Sequence, residues 1–341
     1  MKVFTGTDAA IDPAAVAGFA RRAEAAGYDG LHVSETVHDP FLLALLALQA
    51  TERIVVRTSV ALAFVRSPLL TAYTAWDLSR MSGGRFHLGL GSQIRQNIEE
   101  RYAMEWSAPA ARMRDYVGVV RAAFESFRTG ELVPYEGERY RFTRMQPYFN
   151  PGPDQDTVTP PIYLGAVGRR MLAVAGATAD GLITHPTNSD PQFLFDECRP
   201  ALAEGAAAAG RSLDGFDVVA GLQVITGATD ADVAAERDRR RRLFAFLYST
   251  PAYRGALVRH GFPDLQAKLA DRVRCDDWER LEDIVTDEVL ATIVPTARYD
   301  ALAGAVRERL DGIAQSVTLA LPENADQDRC MADVIAELHA G

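Results

Sequence analysis

The feature that most constrains this chain is an alternation. Short apolar runs of strand length recur from end to end, and nearly every one is followed by a segment with helical periodicity. Val3-Phe4 comes first, and Asp12-Pro13 then opens a helix, aspartate being a good cap and proline a good first helical residue. Val16, Phe19, Ala20, Ala23 and Ala26 fall on one face of that helix, and Gly27 closes it. Gly30-Leu31-His32-Val33 reads as a buried strand, and Asp39-Pro40 starts a helix that reaches Ala50. The β-branched run at 54–60 reads as the third strand. Ser67-Pro68 begins a helix that stops before Gly83-Gly84, and 86–90 is the fourth strand. The rhythm returns with strands at 162–164, 181–183, 216–226 and 317–321, and with helices at 169–176, 191–209, 230–246, 299–310 and 328–339.

Parallel strands joined by helical crossovers follow from this order. About eight such units point to a closed α/β fold, the (β/α)8 TIM barrel, over an open doubly wound sheet. Two stretches break the rhythm, at about 94–160 and 247–290. The first holds a helix over 112–129, a hairpin over 132–142 turning at Glu136-Gly137, and a proline-rich loop; the second is a mixed helical excursion. Both are expected as insertions at the C-terminal mouth. A length of 341 residues would suggest about two domains at ~150 residues each, but barrels run past ~200 residues as one unit. The expectation is therefore one domain over 1–341.

Composition excludes several classes of function. A net charge of -10 argues against nucleic acid as the main partner. No apolar run reaches the ~18 residues of a membrane span, and the start MKVFTGTDAA lacks the apolar core of a signal peptide. A cytoplasmic protein with no membrane partner is expected. Cys198, Cys275 and Cys330 form no CxxC pair, so neither a disulfide framework nor a metal site is indicated.

In a barrel, chemistry gathers at the loops after the strands. The second strand is followed by Ser34-Glu35-Thr36-Val37-His38-Asp39, in which Glu35 or His38 is available for proton transfer, while Asp39 serves as a helix cap. After the third strand, 59–68 is too apolar for an exposed loop and reads as either a pocket lining or the strand running on. The fourth ends in Gly89-Leu90-Gly91-Ser92-Gln93, where glycines allow close approach of a ligand; the dinucleotide fingerprint is absent. The fifth ends in Gly165-Ala166-Val167-Gly168-Arg169-Arg170, glycines running into a helix N-terminus. That pattern makes an anion site, or serves the turn alone. The sixth ends in Thr184-His185-Pro186, whose histidine is structural or part of the rim. The chain has no GxSxG, HExxH or P-loop, and its few polar rim groups suit an organic cofactor that carries the chemistry.

The order of these pieces resembles the bacterial luciferase-like flavin and deazaflavin oxidoreductase superfamily, over nearly the whole chain. The matching pieces are RRAEAAGYDGLHVSE (21–35), RIVVRTSVALAFVRSP (53–68), AWDLSRMSGGRFHLGLGSQ (75–93), GERYRF (137–142) and PPIYLGAVGRRMLAVAGATADGLITH (160–185). SGGRFHLGLGSQ together with HDPF and FNPGP is most similar to the branch that uses the deazaflavin coenzyme F420. The resemblance implies a (β/α)8 barrel, a cytoplasmic homodimer, and a cofactor at the C-terminal mouth. It implies a non-proline cis peptide near Ser59-Val60 against the cofactor's central ring, with Glu35 and Thr36 beside the pyrimidine-side ring. It places Ser92 and Gln93 near the ring or its side chain, and Gly165, Ala166, Val167, Gly168 and Arg169 at the cofactor phosphate. His185 falls near that phosphate.

One position departs from the pattern. Where the sugar-phosphate dehydrogenase branch carries a proton-transfer glutamate, this chain has Ile94, with Gln93 before it. The proton donor stays open among Glu35, His38 and His185. The implied activity is hydride transfer between the deazaflavin C5 and a small organic substrate. Its alternatives are a monooxygenase using reduced FMN and a cofactor-free binding barrel. The aromatics Tyr135, Tyr140, Phe142, Tyr148 and Phe149 either wall the substrate side or pack over the barrel.

Overall fold

Asp12 and Asp39 accept hydrogen bonds from the N–H groups of Ala14 and Phe41, at 2.9 and 2.8 Å. A proline fills the first position after each, so helices α1 (Pro13–Ala25) and α2 (Pro40–Ala50) begin at the caps the sequence provides. The computed structural model describes residues 1–277, 279 and 281–341; Trp278 and Arg280, within the second expected insertion, lie outside the described residues. Among the described residues the strands are β1 (Lys2–Gly6), β2 (Gly30–Val33), β3 (Val55–Thr58), β4 (Ala61–Leu62), β5 (Phe86–Gly91), β6 (Tyr135–Glu136), β7 (Arg141–Phe142), β8 (Ile162–Gly165), β9 (Gly181–Ile183), β10 (Asp217–Gly221) and β11 (Ser316–Thr318). Hydrogen bonding orders the main sheet β3-β2-β1-β11-β10-β9-β8-β5-β4, and β3 also pairs with β5, which closes the ring. β4 pairs with β5 beyond the end of β3 and continues that strand past residues 59–60. The fold is the (β/α)8 barrel that the alternation predicts. No described helix is long and apolar enough to cross a membrane.

By contact density the chain divides into two units. One comprises Phe4–Ile183 and Pro200–Val218. It carries α1, α2, α3 (Pro68–Ser82), α4 (Pro109–Thr129) and α5 (Arg169–Thr178), with α4 packed against both α3 and α5. Leu31, Val33, Val56, Leu88, Leu90, Ile162 and Leu164 form its apolar interior. One layer of that interior is polar. The Arg57 guanidinium lies 4.6 Å from the Phe4 ring centroid and 3.7 Å from that of Tyr163, and 3.5 Å from Asp217. The Tyr163 hydroxyl donates to the same carboxylate at 3.0 Å. Gly30 and Gly181 make room for the two rings, since a Cβ there would lie 2.2 Å from Phe4 and 2.3 Å from Tyr163.

The other unit comprises Met1–Val3, Thr184–Arg199 and Val219–Gly341. Its apolar cluster joins Phe244, Tyr248, Leu257, Leu269 and Leu290. The helix Asp230–Tyr248 starts at a capping box between Thr229 and Asp232 and packs against the helix Leu265–Arg274.

Three expectations need correction. The hairpin reverses over 137–140, with Gly137 N–H donating to Tyr140 at 3.0 Å, and not at Glu136-Gly137. Asp115 sets that position by accepting from Arg139 N–H at 2.7 Å and the Tyr135 hydroxyl at 3.0 Å. The strand expected over 216–226 stops at Gly221, and beyond it Ile225 makes an isolated bridge to Thr296. The helix expected over 191–209 is broken by a wide π turn at Leu194–Cys198, just before Pro200, which has no N–H to give an α-helical bond.

Candidate active site

The loop after β2 is tied to the loop after β3 by two side chains. Ser34 donates to the Ser59 carbonyl at 2.9 Å, and Glu35 accepts from Leu62 N–H at 2.6 Å. Glu35 also takes a two-pronged bond from Arg66, at 2.5 and 2.9 Å, and Arg66 reaches Asp39 at 3.3 Å. Both Glu35 oxygens are thus engaged, and the carboxylate fixes the chain on the far side of residues 59–60. Thr36 is committed elsewhere, its hydroxyl donating to the Ala9 carbonyl and its own carbonyl accepting from Arg101 at 2.6 Å. His38 is half-buried and makes no hydrogen bond among the described residues.

The Ser59–Val60 peptide is cis, at the position the resemblance implies. Val60 is half-exposed and stands between two glycines. A Cβ at Gly91 would lie 2.4 Å from Val60 Cγ2, and one at Gly165 would lie 3.1 Å from Cγ1. These glycines let the neighbouring strands close on the valine side chain, whose half-exposed surface forms an apolar shelf at the ends of β3, β5 and β8. Gly89 serves another purpose. A Cβ there would be 1.8 Å from the Thr58 carbonyl oxygen, so this glycine permits strand contact, and not ligand approach. Ser92 donates to the Gln93 carbonyl at 3.2 Å, and Gln93 sits in the left-handed region with its side chain accepting from Ile94 N–H at 2.9 Å.

After β8, Gly168 caps α5, and a Cβ added there would meet no atom within 4 Å, so the helix opens to solvent at this end. The N–H of Met171 bonds the Gly168 carbonyl at 2.9 Å, whereas those of Arg169 and Arg170 make no hydrogen bond among the described residues, which leaves two donors and the positive end of the dipole for an anion. Arg169 is turned outward to Glu204 at 2.6 Å. Ala166 is buried and Val167 half-buried beside it.

His185 belongs to the other unit. Its ring stacks on Tyr253 with centroids 4.5 Å apart, and Nδ1 lies 2.7 Å from the Thr187 hydroxyl and 3.3 Å from the Thr187 N–H. Burial pushes its pKa down to about 4. At neutral pH it offers a hydrogen-bond donor and no positive charge. The insertion aromatics divide: Tyr140 meets Tyr116 edge-on and accepts from Arg112 at 2.9 Å, and Phe142 is buried, whereas Tyr148 is 92% exposed. No group of described residues could hold a metal ion.

Sequence reasoning missed Arg66 and Arg101, the residues that hold Glu35 and Thr36. Their signal was faint: Arg66 stands in an apolar stretch just before the Ser-Pro helix start, where a charged side chain needs a partner.

Comparison with known proteins adds to this geometry. Residues 1–316 match the family model described as luciferase-like monooxygenase. An uncharacterized protein of Mycobacterium tuberculosis is 40% identical over 304 residues, covering 87% of this chain and 89% of its own. A protein of Nakamurella multipartita named F420-dependent glucose-6-phosphate dehydrogenase is 32% identical over 226 residues, 62% of this chain and 63% of its own. The solved structure of a coenzyme F420 dependent tetrahydromethanopterin reductase from Methanopyrus kandleri shares the fold, with a TM-score of 0.80 over 99% of this chain and 98% of its own at 20% identity.

Proposed function

Because this chain belongs to the luciferase-like monooxygenase family and is an oxidoreductase of that class, we propose that it uses coenzyme F420 to move a hydride to or from a small organic substrate. The observation that carries the reading is the half-exposed shelf at Val60, which Gly91 and Gly165 flank without a Cβ. A planar ring system needs such a surface, and the open N-terminus of α5 suits the phosphate of its tail. The residues present fit the group. Relatives whose names include F420 support the choice of cofactor.

When bound, the deazaflavin supplies a two-electron hydride carrier. The chain's own residues bind and orient. Val60 and its flanking glycines carry the ring, Ser92 and Gln93 border it, and Gly165, Ala166, Val167 and Gly168 lead to the phosphate. Glu35, held by Arg66, is a positioning residue that fixes the shelf. His38 keeps its ring nitrogens free of hydrogen bonds among the described residues, so it is the rim group we assign to hold the accompanying proton. Ile94 is exposed where the sugar-phosphate branch has a glutamate, which favours a substrate of another kind.

Gly168→Asp and Gly168→Asn test the site together. Both residues suit a cap and meet no neighbour, so the fold is kept. The aspartate variant is expected to raise the Kd for F420 at least about tenfold over the asparagine variant, the equivalent of about 1.4 kcal/mol. Equal affinities would show that the phosphate binds elsewhere.

A further inference from the structure

The unit that contains His185 holds a polar pocket with no role in the cofactor cradle. It is lined by Asp190, Gln223, Tyr248, His260 and Arg309, with Leu222, Ile293 and Val294 as its apolar part. Its empty space, including the part open to solvent, is about 330 Å³. Residues 186–190 follow β9 and residues 222–223 follow β10, so that part of the lining comes from C-terminal strand ends, where barrel enzymes collect their chemistry, while Tyr248 and Arg309 come from the helices Asp230–Tyr248 and Tyr299–Leu310.

The charges around the pocket are unequally matched. Asp190 accepts from Phe193 N–H at 2.8 Å on one oxygen and from Arg259 at 3.0 Å on the other. Arg259 also donates to Glu197 at 3.0 Å. Arg309 donates to the Ile293 carbonyl at 3.0 Å and forms no ion pair among the described residues. The Tyr248 hydroxyl, the His260 ring and the Gln223 amide make no hydrogen bond among the described residues, and Tyr248 is buried. A half-buried guanidinium and three further polar groups therefore share a small cavity whose lining carboxylate, Asp190, is bonded to Phe193 and Arg259 and to none of them. A carboxylate supplies what is missing, since it accepts several hydrogen bonds and matches the planar guanidinium in two places.

We propose that this pocket binds the carboxylate of a small organic acid, with Arg309 as its cationic contact and Tyr248 and His260 as flanking partners. Arg309 then acts as a specificity residue, selecting acids over neutral molecules of the same shape.

The test is calorimetric titration of the full chain, without cofactor, with butyrate and with butanamide as its neutral counterpart. Butyrate is expected to bind at least about tenfold more tightly than butanamide. Arg309→Met should remove that preference and Arg309→Lys should restore part of it, with circular dichroism reporting that both variants fold. Equal affinity for acid and amide overturns the proposal, as does unchanged butyrate binding in Arg309→Met or tighter binding of inorganic phosphate than of any carboxylate. Titration of the same samples with F420 separates the two readings. Cofactor binding without carboxylate binding overturns the pocket assignment alone, and carboxylate binding without cofactor binding overturns the cofactor reading alone.

Discussion

Glu35 illustrates how far one residue can be read from sequence. Its place after an apolar strand marks it as a rim residue, and the structure puts it there. Its partner is Arg66, 31 positions away, and only the folded chain brings the two together. With three donors on its oxygens, the carboxylate is an anchor, a role that periodicity cannot distinguish from proton transfer. His185 is similar. Sequence places it at a strand end, but its neutrality comes from burial against Tyr253 and Thr187. Its pKa falls from 6.5 in the unfolded chain to about 4 in the folded one, so the unfolded chain binds the proton first as pH drops. The stability that this group contributes is fully present above about 6.5 and is lost as pH falls toward about 4. His185→Asn keeps a capping acceptor and removes the titration. Denaturant unfolding at a series of pH values should show a shallower loss of stability for the variant across that window. Parallel curves would mean that His185 is not held neutral.

At the scale of elements, strands and helices were legible because caps and β-branched runs are local signals, and Asp12, Asp39 and Pro13 act where they stand. The glycines were legible only as glycines. Gly89, Gly91, Gly165 and Gly168 look alike in sequence, yet one admits a carbonyl, two seat Val60 and one faces open space. Their uses depend on which strand lies alongside, which is a tertiary fact. Gly89→Ala should cost more than about 3 kcal/mol, through a Cβ placed 1.8 Å from a backbone oxygen, or fail to fold. Gly168→Ala should stay within about 1 kcal/mol of the wild type, the difference of a lost turn at most. Denaturant midpoints check both, and comparable losses would contradict the strand contact. The early end of β10 and the π turn before Pro200 escaped prediction for a related reason: the apolar run continues past the last ladder bond, and proline tolerates a helix if the turn widens.

The fold of the whole molecule was readable from the rhythm alone, because parallel strands need crossovers and eight of them close. The charged layer at Arg57 and the pocket at Arg309 were not, since each is assembled from residues far apart in the chain. The same scale governs self-association. Leu70 and Met81 lie on one face of α3, and Leu42 projects from α2; they are 63%, 62% and 64% exposed. A homodimer that covers them is expected, and light scattering should report twice the 37.2 kDa of the chain. Leu70→Lys combined with Met81→Lys should return the monomer, and a wild-type monomer would contradict the expectation. The central claim concerns the shelf at Val60 and what it carries. Equilibrium titration of the purified chain with F420 and FMN side by side, with oxygen uptake followed in the presence of reduced FMN, tests it most directly. Saturable binding of F420, at least about tenfold tighter than FMN and without oxygen uptake, is the predicted result. Tight FMN binding with oxygen consumption, or binding of neither cofactor, would contradict it.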